Sequence, residues 1–539
     1  MRTGQALNFS IGADVSLTSY FLEHNLQAGR GDQVAAYYLD KTYTFNELCA
    51  LTNKLGNVLK QLGIGMEDRV LLALQDTPEW LAGWFATMKV GGVATHVYTY
   101  LTAADYGYFI GYVQPGVVVV DINTLEAMRE GVRQEGGKTI LLVAGEELPP
   151  LQADEYSFDT LVDAASSVLH PASPNSESLA FWNFSSGTTG KPKGVLHSHA
   201  HGMVACESFG HVCQFSPDDV VLRVPKLFFH YSRDAGMNWA LRSGARVCLC
   251  PERITPERLF DLIRKYRPTV LLNVPTMMRA MLNSPEAANA DLSSLRLCLS
   301  SGELLSEQLC KEFTNAFGVN VMNVHGSAET CLAYFINGPG KVKPGSSGTI
   351  APMVQVKIFD ADDNEAPQGS TGKLWVRSLA SGLAYHNEPA KSRDTFPGDH
   401  WVNTNDLFRE DEDGYFWYMG RADDMIKVSG VYVSPLEVEL CVAKHPAVQE
   451  CVVMGVADTD QLMKTTAFVV LSPEAEPSED TAADIIAFCR ARMAPFKAPR
   501  KIHFQPDLPR SGQGKVDRRA LLARLSAGNE GSNHALTAV

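Results

Sequence analysis

The sequence predicts an α/β protein: a large N-terminal domain of layered α/β subdomains, then a β-rich subdomain, then a small α+β C-terminal domain. Three observations predict it. Short β-branched runs alternate with helical periods up to about residue 340, Gly and Asp turns separate strands from about 344 to 420, and a compact alternation resumes beyond Arg421. At 539 residues the chain is several times a common single-domain length, so two or more domains are expected.

The elements follow in order. Thr44 caps a helix opening at Phe45, with Glu47 at capping-box spacing. Arg69–Leu74 is a short buried strand, Glu79 to Lys89 an apolar helix, and Val117–Asp121 and Thr139–Val143 repeat the strand signal. In the middle, strands at Val270–Val274 and Leu295–Leu299 flank a helix, and Arg246–Cys250 reads as a buried strand. The β-rich stretch holds strands at Val354–Phe359, Lys373–Arg377 and Tyr415–Tyr418. The last unit reads as a helix near Ser434 to Lys444, strands at Val448–Val456 and Thr466–Leu471, and a helix around 480–493. The expected organisation is 1–422, 423–525, and a disordered Gly-, Asn-, Ser- and Ala-rich tail at 526–539.

Composition narrows the function. The chain carries 47 Lys and Arg against 61 Asp and Glu, a formal charge of −14, which argues against broad nucleic-acid binding because that needs a basic footprint. A small anionic ligand remains compatible with a locally basic site. Eleven scattered cysteines form no CxxC pair and suit a reducing compartment. Residues 1–27 lack the basic start and apolar core of a signal peptide, and no apolar run reaches the roughly 20 residues a membrane helix needs. A cytoplasmic protein without membrane insertion is expected.

The strongest local signal is Phe184-Ser-Ser-Gly-Thr-Thr-Gly-Lys-Pro-Lys-Gly-Val195. Glycines let the backbone approach a phosphate, hydroxyls donate hydrogen bonds, and lysines supply charge. No GxxxxGK[ST] register fits, so this is not a Walker loop. It stands between two strand-like runs, Leu179–Trp182 and Gly194–Leu196, where a flexible linker would be out of place. A second cluster, His197-Ser-His-Ala-His201 with His211 beyond, looks like a metal tract, but on a helix its alternate spacing would splay the ligands over different faces. No Cys or carboxylate set completes it.

The loop resembles the phosphate-binding loop of the adenylate-forming superfamily, which includes acyl-CoA synthetases, adenylation domains and luciferases. The superfamily's other signatures occur in order: His325-Gly-Ser-Ala-Glu-Thr330, Thr404-Asn-Asp406, the hinge-like Gly420-Arg-Ala-Asp-Asp-Met-Ile-Lys-Val-Ser-Gly430, and Pro509-Arg-Ser-Gly-Gln-Gly-Lys515. The resemblance implies that an acid carboxylate attacks the α-phosphate of ATP, releasing pyrophosphate and leaving an acyl-AMP. Bringing two anions together calls for cationic and metal screening. By resemblance Lys515 bridges carboxylate and phosphate, and Glu329 holds Mg²⁺. Ser185, Ser186, Gly187, Thr188, Thr189 and Lys193 surround the phosphates, with Gly326 and Ser327 beside Glu329. Gly302 and Glu303 form the adenine turn, Asn323 lies near the base edge, and Asp406 with Arg421 takes the ribose. The small domain then swings about Asp423, bringing forward a face that bears Lys427 and Gly430 for coenzyme A.

Three positions depart from the superfamily pattern. Ala328 stands where a Thr precedes the metal-binding Glu, removing one hydroxyl for which Ser327 or a backbone N–H substitutes. His325 replaces the leading aromatic, and Asn405 replaces the Gly of Thr-Gly-Asp. None removes a charge the mechanism needs.

Lys226-Leu-Phe-Phe-His-Tyr231 sits where the superfamily has its acyl-pocket segment, and its wording resembles benzoate–CoA ligases and their aminobenzoate relatives. The resemblance puts Tyr231 against a ring and Phe229 at the gate, shortening the pocket in favour of a flat acid. Ser301, His325 and His230 are candidates to bond an ortho substituent. The expected activity is an aryl-acid–CoA ligase, with anthranilate the leading acid, then benzoate and 2-hydroxybenzoate. Its expected partners are a small aromatic carboxylic acid, ATP and coenzyme A, with a homodimer allowed. The alternatives are an enzyme loading an aryl acid onto a carrier protein, a medium-chain acyl-CoA synthetase, and a silent nucleotide-binding scaffold, against which the retained Lys515, Glu329, Asp406 and Arg421 argue.

Overall fold

The computed structural model describes residues 1–136, 138–172, 175–185, 191–428, 431–457, 463–510 and 516–528. Packing divides the chain into two units, one of Met1–Lys357, Trp375–Thr404 and Asp413–Phe416, the other of Ile358–Leu374, Asn405–Glu412 and Trp417–Val539. The strands Gln355–Phe359, Thr371–Arg377, Trp401–Glu410 and Phe416–Arg421 carry the chain from one unit to the other, so the division is not a single cut. The 422/423 boundary read from sequence falls within the second unit.

The first unit contains two layered sheets. One has seven strands in the order Lys193–Ser198, Leu179–Ser185, Val93–His96, Arg69–Ala73, Val117–Asp121, Ile140–Ala144 and Glu155–Ser157. All neighbours are parallel except the first two, which form an antiparallel pair. Helices pack on it, so Val117–Val120 are buried on both faces, the reason that strand reads as an unbroken apolar run. Three helices of this unit begin at side-chain caps: Thr44 with Glu47, Thr102 with Asp105, and Ser198 with His201 each form a reciprocal pair.

The second sheet has nine strands: Thr349–Ile350, Ala333–Ile336, Val321–Gly326, Leu297–Ser300, Val270–Asn273, Val220–Arg223, Arg246–Leu249, Val34–Tyr38 and Lys41–Thr44. Its centre is parallel and both ends are antiparallel. One face is filled by Leu222, Leu271, Cys298 and Val321 against Phe260, Met278 and Phe313 from the covering helices. Ligands of parallel sheets collect at the carboxyl ends of strands, and here those ends carry Ser300 and Gly326.

In the second unit Val448–Ala457 pairs antiparallel with Met463–Leu471, which pairs parallel with Lys501–Phe504. Alternate residues face opposite ways. Val453, Ala467, Val469 and Ile502 meet the helices Pro435–Val442 and Glu479–Arg490 through Val438, Ile485 and Cys489. Val452, Met454 and Phe468 pack on Leu508 and Leu521. The last helix runs from Arg518 to Gly528, past the expected end at 525, and 529–539 lie outside the described residues.

The expected α/β architecture is borne out, with the predicted strands and helices present to within a few residues at their ends. All eleven cysteines are free thiols. Among the described residues no helix is long and apolar enough to cross a membrane.

Candidate active site

The glycine-rich motif joins the two antiparallel strands at one edge of the seven-stranded sheet. Ser185 pairs with Lys193 and Phe184 with Gly194. Gly194 is required by packing, since a Cβ there would lie 2.9 Å from the Trp182 ring. Ser186, Gly187, Thr188 and Thr189 lie outside the described residues. Lys193 is half-buried, its ammonium 5.3 Å from the centre of the Tyr385 ring. Burial pushes it below the usual lysine range, Lys391 adds to this, and Glu388 and Glu329 oppose it.

Glu329 stands on a 3₁₀ turn, Ala328–Thr330, that follows the strand Val321–Gly326. Ser327 opens the turn with its Oγ 3.3 Å from Thr330 Oγ1. The turn is held on three sides. Its Ala328 carbonyl accepts from His197 Nε2 at 2.8 Å, its Glu329 carbonyl accepts from Gly382 N at 2.8 Å, and Glu329 Oε1 accepts from the Tyr385 hydroxyl at 2.8 Å. Beyond it Cys331 takes φ +67° and ψ −53°, the centre of a γ-turn closed by Leu332 N on Thr330 O at 2.9 Å. That conformation is strained for a residue with a Cβ and is typical of functional turns. Gly326 permits the close return of chain, because a Cβ there would fall 1.7 Å from the Leu332 carbonyl oxygen. The Ala328 methyl is buried with Val195 and Tyr385, so the position that departs from the superfamily pattern is a packing position here.

The residues expected on the adenine side lie on or just beyond two neighbouring parallel strands, where Ser300, the last residue of one, pairs with Asn323 of the other. Gly302 has φ +86°, which a glycine adopts freely. The Glu303 carboxylate caps the helix Pro275–Asn283, accepting from Thr276 N at 3.1 Å and Thr276 Oγ1 at 3.2 Å. Asn323 is buried, with its Nδ2 donating to Ser346 O at 3.0 Å.

The segment 226–231, expected to line an acyl pocket, is aromatic on a wider front than its own sequence. Phe228 and Phe229 lie 4.9 Å apart and both meet the Tyr98 ring, at 4.5 and 5.3 Å. Tyr231 is buried, its hydroxyl without a hydrogen-bond partner among the described residues, and burial pushes that hydroxyl well up. His230 is half-buried at the start of a helical run, 230–242, whose middle, Asp234–Asn238, is π-helical. Arg233 and Asp234 are buried at that junction. The Arg233 guanidinium bonds Asp234 at 2.9 Å through both Nε and Nη2, bonds Asn183 Oδ1 at 2.7 Å, and lies 4.3 Å from the Trp84 ring. Ser301 is buried, and His325 Nδ1 lies 3.2 Å from Ser347 Oγ.

In the second unit Asp406 is buried and paired with Arg421 Nη1 at 3.0 Å. Asn405 beside it has φ +58°, so this position demands a left-handed backbone that glycine or asparagine supplies. The exchange of Gly for Asn in Thr-Asn-Asp is therefore structurally neutral. Asp423 is exposed on the turn Ala422–Asp424. Lys427 pairs by its backbone with Tyr432; its side chain, Gly430 and Lys515 lie outside the described residues.

Comparison with known proteins decides the family. The family model for AMP-binding enzymes matches residues 22–386 and that for the AMP-binding enzyme C-terminal domain matches residues 437–515. The chain belongs to the AMP-binding enzymes. Among this family's members it is 34% identical to benzoate–CoA ligase of Thauera aromatica, over 92% of this chain and 93% of that one. It is 33% identical to the anthranilate CoA ligase AuaEII in complex with anthranoyl-AMP, with a TM-score of 0.89, covering 96% of this chain and 99% of that chain. A benzoate CoA ligase from Burkholderia xenovorans LB400 matches at 32% identity and a TM-score of 0.86, covering 94% and 99%. The expected adenylate-forming fold and the resemblance to benzoate–CoA ligases are borne out.

Within this AMP-binding enzyme the structure brings Lys193 and Glu329 to one aromatic ring, and places Ser301 and Gly302 just past the strand whose last residue, Ser300, pairs with Asn323. Sequence reasoning missed three contributors. Tyr98 is 130 residues from Phe228 and belongs to no motif, Tyr385 is 56 residues from Glu329, and His197 was set aside with the histidine tract. His197 and Ser198 end a strand, while His199 and His201 begin the helix His199–Cys213, so the tract is divided between two elements.

Proposed function

We propose that this chain is an AMP-forming acid–thiol ligase for aromatic acids. The acid carboxylate attacks the α-phosphate of ATP to give acyl-AMP and pyrophosphate. The thiol of coenzyme A then attacks the acyl carbon to give the aryl-CoA thioester and AMP. Anthranilate is the leading acid, followed by benzoate and 2-hydroxybenzoate.

The observation that carries the reading is the Glu329 turn: a half-buried carboxylate fixed at one oxygen by Tyr385, whose ring also lies 5.3 Å from Lys193, the lysine of the glycine-rich motif. A preformed arrangement of cation and carboxylate suits anionic phosphates, because groups already oriented cost no reorganisation during reaction. Among the described residues Glu329 Oε2 carries no hydrogen bond, which fits a hard divalent cation. Glu329 would hold Mg²⁺, which when bound screens the phosphate charge. Lys193 and the residues 185–189 would bind phosphates, Gly302 and Asn323 would flank the adenine with Glu303 bracing that turn, and Asp406 with Arg421 would take the ribose. Lys515 would bridge the two reacting anions, and residues 423–525 would swing about Asp423 to present Lys427 and Gly430 to coenzyme A.

The choice of an aromatic acid is supported by the ring trio of Tyr98, Phe228 and Phe229 and by the buried Tyr231. Flat faces favour a flat ring, and aromatic pairs add about 0.5–1.5 kcal/mol beyond area burial. Ser301, His230 and His325 are the groups proposed to meet an ortho substituent. The free thiols support a cytoplasmic setting.

The test is pyrophosphate release with ATP and Mg²⁺ over a panel of anthranilate, benzoate, 2-hydroxybenzoate, 4-hydroxybenzoate, octanoate and acetate, with and without coenzyme A. Sustained turnover with a ring acid that requires coenzyme A supports the proposal. Turnover confined to octanoate overturns the aromatic assignment, and a single burst that coenzyme A does not convert to cycling points to a carrier-protein acceptor.

A further inference from the structure

We infer that Tyr385 is a positioning residue for adenylation, fixing Glu329 by one carboxylate oxygen so that the other is held ready for the divalent cation of the nucleotide. The inference rests on the proposed role of Glu329 and deepens it. A carboxylate accepts only, so the 2.8 Å contact between Tyr385 Oη and Glu329 Oε1 has the phenol as donor. A glutamate has three side-chain torsions, and a single donor to one oxygen removes the freedom of its terminal carboxylate without blocking the second oxygen.

Tyr385 is itself tightly held. Its backbone bridges to Val195, its N–H donates to Ser392 Oγ at 3.0 Å, and its ring meets Phe396 at 5.2 Å. Three residues earlier, Gly382 N donates to the Glu329 carbonyl at 2.8 Å, so one short segment fixes both the backbone and the side chain of Glu329. The face of the same ring carries the Lys193 ammonium at 5.3 Å. One tyrosine thus ties the carboxylate of the 3₁₀ turn to the lysine of the phosphate motif, and a change at its hydroxyl is separable from a change in its ring.

The experiment uses the full-length protein and Tyr385→Phe, which removes the hydroxyl and keeps the ring. Mn²⁺ affinity is read by electron paramagnetic resonance with α,β-methylene-ATP as the nucleotide, and the Mg²⁺ dependence of acid-dependent pyrophosphate release is read beside it. Tyr385→Phe is expected to weaken Mn²⁺ binding and raise the Mg²⁺ requirement by about 10-fold, the effect of losing a hydrogen bond to a charged group. Turnover at saturating Mg²⁺ is expected to stay within about threefold of the parent protein. Phe396→Leu, which disturbs the ring's packing and spares the hydroxyl, is expected to lower thermal stability and leave metal affinity unmoved. Glu329→Gln separates the two layers. If Glu329→Gln weakens metal binding and Tyr385→Phe does not, the role of Tyr385 is overturned while that of Glu329 stands. If neither does, both are overturned.

Discussion

His197 donates its Nε2–H to the carbonyl of Ala328 at 2.8 Å, joining residues 131 apart in the chain and bracing the turn one residue before Glu329. A carbonyl only accepts, so the bond fixes the tautomer with the proton on Nε2. The ring is buried and stacked on Phe181 at 5.0 Å, and burial with the nearby His201 holds its protonation well below the usual histidine range. It acts as a neutral strut under the candidate metal carboxylate. Replacing it by Ala leaves that carbonyl with only the longer bond from Cys331 N at 3.3 Å and opens a void beside it. His197→Ala is expected to cost about 2–4 kcal/mol in urea unfolding and to depress ATP-dependent turnover more than acid binding.

The buried histidines also set an acid limit. His199 and His201 are each lowered to about 4, mainly by burial, whereas an unfolded histidine takes up its proton near 6.5. Between those values the unfolded chain binds more protons than the folded one, so stability is full above about pH 6.5 and is lost as pH falls towards 4. Each ring contributes on the order of 3 kcal/mol at completion. Urea unfolding at pH 7.5, 6.5 and 5.5 is expected to show a progressive fall with proton uptake on unfolding. A flat profile contradicts the burial of these rings.

The pair Arg233–Asp234 is expected to be strongly coupled. Asp234→Asn removes the bidentate partner of a guanidinium with no solvent contact, at about 3–5 kcal/mol. Replacing both, as Arg233→Met with Asp234→Asn, is expected to recover a large part of that loss. A double-mutant cycle in urea measures it, and strictly additive losses contradict the coupling.

Asn405 is expected to tolerate glycine and little else. Its φ of +58° suits both, so Asn405→Gly is expected to change stability by less than about 1 kcal/mol, whereas Asn405→Val is expected to cost about 1–2 kcal/mol or more. Thermal unfolding of the two variants decides it.

Opening the ring trio tests the acyl pocket. Tyr98→Ala and Phe229→Ala are each expected to lower kcat/KM for ring acids by about 10-fold while that for octanoate holds or rises. The acid panel run on both variants reads the ratio, and equal losses for ring and chain acids contradict a shape-based pocket.

What the sequence made legible was local. The Thr44–Glu47 capping box, the buried strand Val117–Asp121 and the alternation along Val448–Ala457 are each decided by residues within a few positions, and each stands as expected. The contiguous signatures likewise pointed to Glu329, Lys193 and Asp406. What was not legible was set by contacts across the fold. The π-helical turn at 234–238 accompanies a buried ion pair whose partners include Asn183 and Trp84. Tyr385 and Tyr98 carry no motif, and their importance comes only from what they touch. The histidine tract divides between a strand and a helix instead of lying on one helix, and the bond of His197 to Ala328 had no sequence signal.

The most direct test of the central claim is mass spectrometry of the products formed from anthranilate, ATP and Mg²⁺, first without and then with coenzyme A. The account predicts anthraniloyl-AMP and pyrophosphate in the first mixture, then anthraniloyl-CoA and AMP in the second, and Glu329→Gln strongly reduces the first step. No adenylate from any aromatic acid, with adenylate formed from octanoate, would contradict it.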